Sequence, residues 1–275
     1  MTRVQRRMLR RRRRRRMMWS TLALAGIVVV AILLLRKPLM RAERIGQPTP
    51  SPTAVAFDSS ITTREVLLPA QMWYTIQTGV FSTQEAAAEK AGAYADRGAP
   101  GTVVEDNGKW RVFIASYGRE ADAAAVRQRL GEQQRVETYL YPWTCPELHL
   151  RMTGMAGQLD VAEAGLTLFT HAAEILRDTA TLLDATQLTA AEAKQSAAEL
   201  DAQIALWAET ARERFGRKPP ELVSRLLEMA DGWKAQYSGI SRAGEAATTL
   251  SAEMKGQGMR LFDAMIRLRH AMSDE

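Results

Sequence analysis

Two short stretches of this chain place an amide, a guanidinium and several aromatic rings at alternating positions. Residues 73–81 read Trp-Tyr-Thr-Ile-Gln-Thr-Gly-Val-Phe, and residues 110–117 read Trp-Arg-Val-Phe-Ile-Ala-Ser-Tyr. Alternate side chains of a strand share a face. Thr75, Gln77, Arg111 and Phe113, with Trp73 at the margin, therefore fall on one side, and Tyr74, Ile76, Val112 and Ile114 on the other. Amides and guanidinium groups bind hydroxyls, and aromatic rings cover the C–H faces of sugars or the faces of bases, so the first set is suited to non-covalent recognition. Farther on, either Tyr139 and Tyr141 or Thr138 and Leu140 join that face, and the tyrosines are the preferred pair. Packing is the plainer account of Trp73, Trp110 and Phe113, as of most aromatics in small α/β modules. Gln77 resists that account, because an amide on a central strand is costly unless its face is solvated or used.

Nothing comparable points to catalysis. His149, His171 and His270 are the only histidines, and Glu147-x-His149 falls short of the close His and carboxylate spacing that a zinc centre needs. There is no Gly-rich phosphate loop and no Gly-x-Ser-x-Gly elbow. Acidic residues are spread over the second half, where solvated helix faces account for them. A single cysteine, Cys145, excludes an internal disulfide framework and a multi-cysteine metal site. The expectation is a binding protein with no catalytic residue, metal or cofactor.

The recognition set needs a scaffold, and the sequence writes that scaffold twice. Tyr74 answers to Trp110, Ile76 to Val112, Gly79 to Ala115, Phe81 to Tyr117 and Ala87 to Ala123, at one fixed offset. Each strand leads into an Ala/Glu-rich helical segment, Ser82–Arg97 with Gly98 as its stop and Arg119–Gly131. Asp106-Asn107-Gly108 is a hairpin turn between a short strand at 101–105 and the strand at 109–116. With a last strand at 135–141 the order is βαββαβ, an α+β arrangement with a four-stranded antiparallel sheet, two helices on one face and the other face bare.

These features carry a resemblance. Gln77-x-Gly79-x-Phe81, the Ala-rich helix ending at Gly98, and Trp110-Arg111-Val112 resemble the SPOR (sporulation-related repeat) domain over residues 71–142. The resemblance implies an RNP-like fold that binds bacterial peptidoglycan, in particular glycan strands stripped of stem peptides, at division or sporulation sites. Gln77 matches the family's recurrent glutamine on the glycan-facing surface. Trp73, Thr75, Arg111, Phe113, Tyr139 and Tyr141 join it by alternation. Ala115 and Ser116 depart from the glycine and proline usual in the second copy.

The ends of the chain place the module. Residues 1–16 hold ten arginines, and residues 17–35 run without a charge. About 20 apolar residues in helical form span a bilayer core. The arginine excess favours a cytoplasmic N-terminus with the bulk outside, and it suits anionic lipid. A cleaved leader would need a small-x-small site, whereas Arg36-Lys37-Pro38-Leu39 follows, so an uncleaved signal anchor is the expectation. Residues 36–70, with Pro48, Pro50 and Pro52, read as a tether able to extend about 100 Å. The net charge of +6 falls to −4 without the ten arginines, and to −7 without the further +3 of residues 36–44. The basic overall balance therefore says nothing of a nucleic-acid partner. An RNA-binding module shares the βαββαβ order, but its aromatic-rich third-strand signature is absent.

From 146 to 275 heptad spacing takes over. It runs through Met152, Met155, Leu159, Leu166, Phe169, Leu176 and Leu183, then Ala193, Leu200 and Trp207, then Val223, Trp233, Gly244, Ala247, Met254, Leu261 and Leu268. Three long antiparallel helices are expected, turning at 184–189 and at 216–220, with Gly244, Ser251 and Gly258 weakening the last seam. The alanine-rich seam points to self-association or to an envelope protein partner. A scaffold working through this bundle is the alternative function.

Overall fold

The computed structural model describes residues 61–244 and 246–273, so the tail at 1–16, the span at 17–35 and the tether up to residue 60 lie outside the described residues. Among the described residues no helix is long and apolar enough to cross a membrane. The described residues belong to one compact unit. Its order is β1 (Ile61–Leu68), β2 (Gln71–Phe81), α1 (Gln84–Ala95), β3 (Thr102–Asp106), β4 (Lys109–Tyr117), α2 (Glu120–Gln134), β5 (Tyr139–Cys145), β6 (Leu148–Met155), α3 (Ala156–Asp184), α4 (Ala190–Phe215), α5 (Glu221–Arg242) and α6 (Ala247–Ser273).

The α+β sheet has the order β3-β4-β2-β5, with every neighbouring pair antiparallel and the two repeated strands at its centre. Asn107 and Gly108 both take positive φ, as a two-residue hairpin turn requires. A Cβ on Gly79 would stand 2.7 Å from the Phe81 ring, so the glycine of the Gln-x-Gly-x-Phe signature makes room for that ring to fold back on its own strand. Phe81 then packs with Ala87, Ala91 and Val112, while Tyr117 of the second copy packs with Ala123, Ile76 and Ile114. The two halves of the repeat thus bury two equivalent clusters under α1 and α2.

The last strand lies four residues later than expected and continues to Cys145, with Pro142 on an outer strand where a missing N–H is tolerated. Residues 61–68, read as tether, form β1. It pairs antiparallel with β6 in a two-stranded ribbon, from Ile61 opposite Met155 to Leu68 opposite Leu148. Strand structure therefore extends past 146, where only helix was expected.

The helical region has four described helices, because the last of the three expected is interrupted between Arg242 and Ala247, around Gly244, one of the positions where its seam was expected to weaken. The expected turns hold. Thr189 and Glu192 form a reciprocal capping box at the start of α4, and Pro220 caps α5. Most seam residues are buried as the spacing requires, but Met152 and Met155, read as the start of the first helical seam, lie on β6, where Met155 is exposed, and Gly244 and Ala247 are exposed at the break before α6.

The main correction concerns the sheet. The face opposite α1 and α2 is not bare, because α6 packs against β3, β4 and β5, and α3 reaches β4. Two glycines explain how α6 fits there. A Cβ on Gly256 would meet Pro100 Cβ at 3.2 Å, and one on Gly258 would meet the Ala173 carbonyl oxygen at 3.3 Å. Gly258, read as a weak point in the seam, instead lets α6 lie close against α3. Flanked by the sheet and the bundle, α6 is buried nearly all round, down to Lys255, Gln257, Asp263 and Arg269.

Candidate functional site

Alternation sorted the side chains correctly, and the structure divides their shared face into a closed half and an open end. In the register of β2 against β5, Trp73 stands opposite Trp143, Thr75 opposite Tyr141 and Gln77 opposite Tyr139. The two tyrosines therefore share the face of Gln77, while Leu140 packs on the helix side with Ile76.

The closed half holds Trp73, Thr75 and Phe113, each 1% exposed or less. The Trp73 ring stacks on Phe262 of α6 at 4.1 Å and 13°, and the Arg177 guanidinium of α3 lies 4.8 Å from it. Trp143 meets Phe262 edge-on at 5.1 Å and Phe113 at 5.2 Å. The Thr75 hydroxyl donates to the Tyr141 carbonyl at 3.0 Å, so its polar group is spent internally. Baring Trp73, Phe113, Trp143 and Phe262 would cost about 1.5–3 kcal/mol for each side chain, or about 6–12 kcal/mol together. That cost leaves fewer than about one molecule in 10⁴ open. The expectation that these three residues offer themselves to a ligand is corrected: they form the seat of the helical bundle.

The open end holds the polar members of the set. Arg111 donates from Nη1 to Gln77 Oε1 at 2.9 Å and from Nε to Asp106 Oδ2 at 2.6 Å. Tyr141 donates its hydroxyl to the same Asp106 oxygen at 2.8 Å, and the Arg111 guanidinium lies 4.4 Å from the Tyr141 ring. Burial, followed by the bond to Asp106, raises the Tyr141 phenol above its ordinary value, so it remains a donor at neutral pH. Gln77 is 7% exposed, and its amide Nε2 has no partner in this network. It is left as a donor beside the Arg111 and Tyr141 network. Tyr139 is 52% exposed at the rim, its hydroxyl donating to Glu137 at 2.5 Å. An amide, a guanidinium, a carboxylate and two phenol rings meet at one end of the sheet, and groups of these types hydrogen-bond and stack on hydroxylated molecules.

Sequence reasoning missed Asp106, which organises the open end from the hairpin, and Trp143, which lies beyond the range assigned to the last strand. It also missed Phe262. The visible signal for Phe262 was that Met259, Phe262 and Ile266 widen the apolar stripe of α6 beyond one seam. Cys145 is buried, and burial pushes its thiol up to about 11, against the opposing charge of Arg269. His149 is exposed and bonds only to Glu147, at 2.7 Å. Among the described residues no group of three or more His, Cys, Asp or Glu is placed to hold a metal.

No curated protein and no solved structure matches the chain. The family model of the SPOR domain matches residues 73–141, the segment from Trp73 on β2 to Tyr141 on β5 that builds the sheet, its two covering helices and the open end. The chain carries a SPOR domain, a peptidoglycan-binding and non-catalytic module.

Proposed function

We propose that this protein is a non-catalytic, membrane-anchored peptidoglycan-binding protein of a bacterial envelope. In this reading the arginine-rich tail faces the cytoplasm, one span crosses the membrane, and the SPOR domain and bundle work outside. There the protein recognises glycan strands freed of stem peptides during division or sporulation. One observation carries the reading: within the SPOR-matched segment, Gln77, Arg111, Tyr141 and Tyr139 stay together at a half-open end of the sheet, where Tyr139 is exposed, Arg111 and Tyr141 are half-buried and the nearly buried Gln77 keeps an amide donor to spare. The bound chain lies across this end, its hydroxyls taking the Gln77 amide and its ring faces taking the tyrosines. The aromatic half stays closed under α6.

The test is co-sedimentation of the full chain, in detergent micelles, with intact and with amidase-treated sacculi. Binding that rises after amidase treatment, and falls when Gln77 or Arg111 is replaced by alanine, is the expected result. A second reading has its own observation: the buried aromatic half makes the sheet a support for the helical bundle, as in an envelope scaffold that acts through its helices. Binding to neither form of sacculus would leave that reading alone.

A further inference from the structure

A groove of about 310 Å³ lies between α1 and the start of β5, outside the sheet face just described. It is lined by Lys90, Tyr94 and Arg97 of α1, by Arg135 just after α2, and by Glu137 and Tyr139. Three cations meet there, and none has a carboxylate partner among the described residues. Lys90 and Arg97 instead lie 5.3 and 5.9 Å from the centre of the Tyr94 ring, which is 8% exposed. The single carboxylate in the wall, Glu137, accepts from the Tyr139 hydroxyl and keeps its charge, so the groove holds three positive charges against one negative. This happens in a chain whose part beyond residue 44 carries −7. In an acidic chain, ordinary surface cations are interleaved with acids. Three that converge unpaired on one concavity hold a local positive potential that favours an anion.

Backbone strain adds to this. Arg135 adopts φ 54° and ψ 33° at the C-cap of α2, a left-handed conformation that favours glycine or asparagine. The cap N–H donates to the Leu130 carbonyl, and this fixes the backbone that carries Arg135 at the groove wall. Tyr139 is shared between the two places: it lines the groove and stands opposite Gln77 in the register of β2 and β5.

We infer that this groove binds the carboxylate of an acidic sugar, the lactyl carboxylate of muramic acid. The inference rests on the peptidoglycan reading above and deepens it. In intact wall that carboxyl is tied up in a neutral amide to the stem peptide. When an amidase hydrolyses the amide, the C–N bond breaks and water adds. The sugar regains a carboxylate and the peptide leaves as its amine. A site of Lys90, Arg97 and Arg135 reads the charge that only stripped strands possess, with the sugar rings lying over Tyr139 toward Gln77. The preference for stripped glycan then has an electrostatic cause in this chain, separate from the sheet face.

The test uses the full chain in detergent micelles and soluble glycan strands freed of peptide, either untreated or with their carboxylates converted to neutral amides by carbodiimide coupling to methylamine. The wild-type protein should bind the untreated strands at least tenfold more tightly than the amidated ones, with strong weakening by salt. Arg97→Glu combined with Arg135→Gly should abolish that discrimination. Arg135→Gly alone should weaken binding while leaving the thermal midpoint unchanged or higher, which a merely structural role would not do. A double variant that still prefers untreated strands by the same factor overturns the groove and leaves the peptidoglycan reading standing. A wild-type protein that binds neither strand overturns both.

Discussion

Removing the Phe262 ring is the perturbation that best separates a structural seat from a ligand platform. Phe262 is 1% exposed and touches both Trp73 and Trp143, so it joins α6 to β2 and β5. Truncating a buried phenylalanine to alanine costs about 3–5 kcal/mol through lost transfer energy and the cavity left behind. The stack on Trp73 and the edge contact with Trp143 place Phe262→Ala at the upper end, about 4–5 kcal/mol. Against a typical total of about 5–15 kcal/mol, that is roughly a quarter or more of the stability of the unit. Guanidinium denaturation of the full chain in micelles, followed by tryptophan fluorescence and by far-ultraviolet circular dichroism, reads the loss. Both probes should move together in one transition shifted to lower denaturant, because sheet and helices share one core. Sacculus binding per folded molecule should not rise. A loss below about 1 kcal/mol, or a wild-type protein whose sheet and helices melt separately, would refute the shared core. Increased glycan binding by the variant would show that the closed half is a ligand site after all.

Three other outcomes follow from single residues. Burial pushes the Asp263 carboxyl up to about 6, with Arg267 opposing and Glu105 on β3 reinforcing the rise. A carboxyl raised on folding lends stability that is complete below its unfolded value near 4 and is lost as pH climbs through about 6. Asp263→Asn should therefore raise stability at pH 8 by on the order of 2 kcal/mol and flatten the slope between pH 4 and 7, measured by denaturation across pH. At Gly165 a Cβ would stand 2.4 Å from the Trp207 indole, which is pinned by a 2.9 Å hydrogen bond from Nε1 to the Val161 carbonyl and by an edge contact with Phe169. Gly165→Ala should thus lower stability by about 1–3 kcal/mol despite alanine's higher helix propensity, read as an earlier thermal midpoint. Arg111→Ala removes the guanidinium that links Gln77 to Asp106, so it should weaken binding per folded molecule to amidase-treated sacculi and also lower stability by about 1–3 kcal/mol, because the Gln77 carbonyl oxygen and Asp106 lose that partner.

Local patterns were readable wherever the physics is local. Period-two alternation placed Gln77, Arg111 and Phe113 on one face, and Asn107-Gly108 fixed the hairpin, because pleat and turn geometry depend on near neighbours. Heptad spacing found the helix seams for the same reason. The ribbon of β1 and β6 joins residues 61–68 to 148–155 and buries little beyond Val66, Leu68 and Leu148, so neither strand advertises itself alone. The covering of the sheet depends on a contact between Trp73 and Phe262, at opposite ends of the folded unit. Sequence alternation can say which residues share a face but not what lies on top of it. Gly258 of α6 was read as a gap in the seam, when the deciding factor was the closeness of the Ala173 backbone.

Hydroxyl-radical footprinting of the full chain, with and without soluble stripped glycan, tests most directly where the sugar chain sits. The account predicts that Trp73, Phe113 and Trp143 are protected from oxidation in both states, while Tyr139 and Tyr141 become protected only when glycan is added. Oxidation of Trp73 and Trp143 in the free protein that disappears on binding, with Tyr139 unchanged, would place the ligand on the half that α6 is said to close.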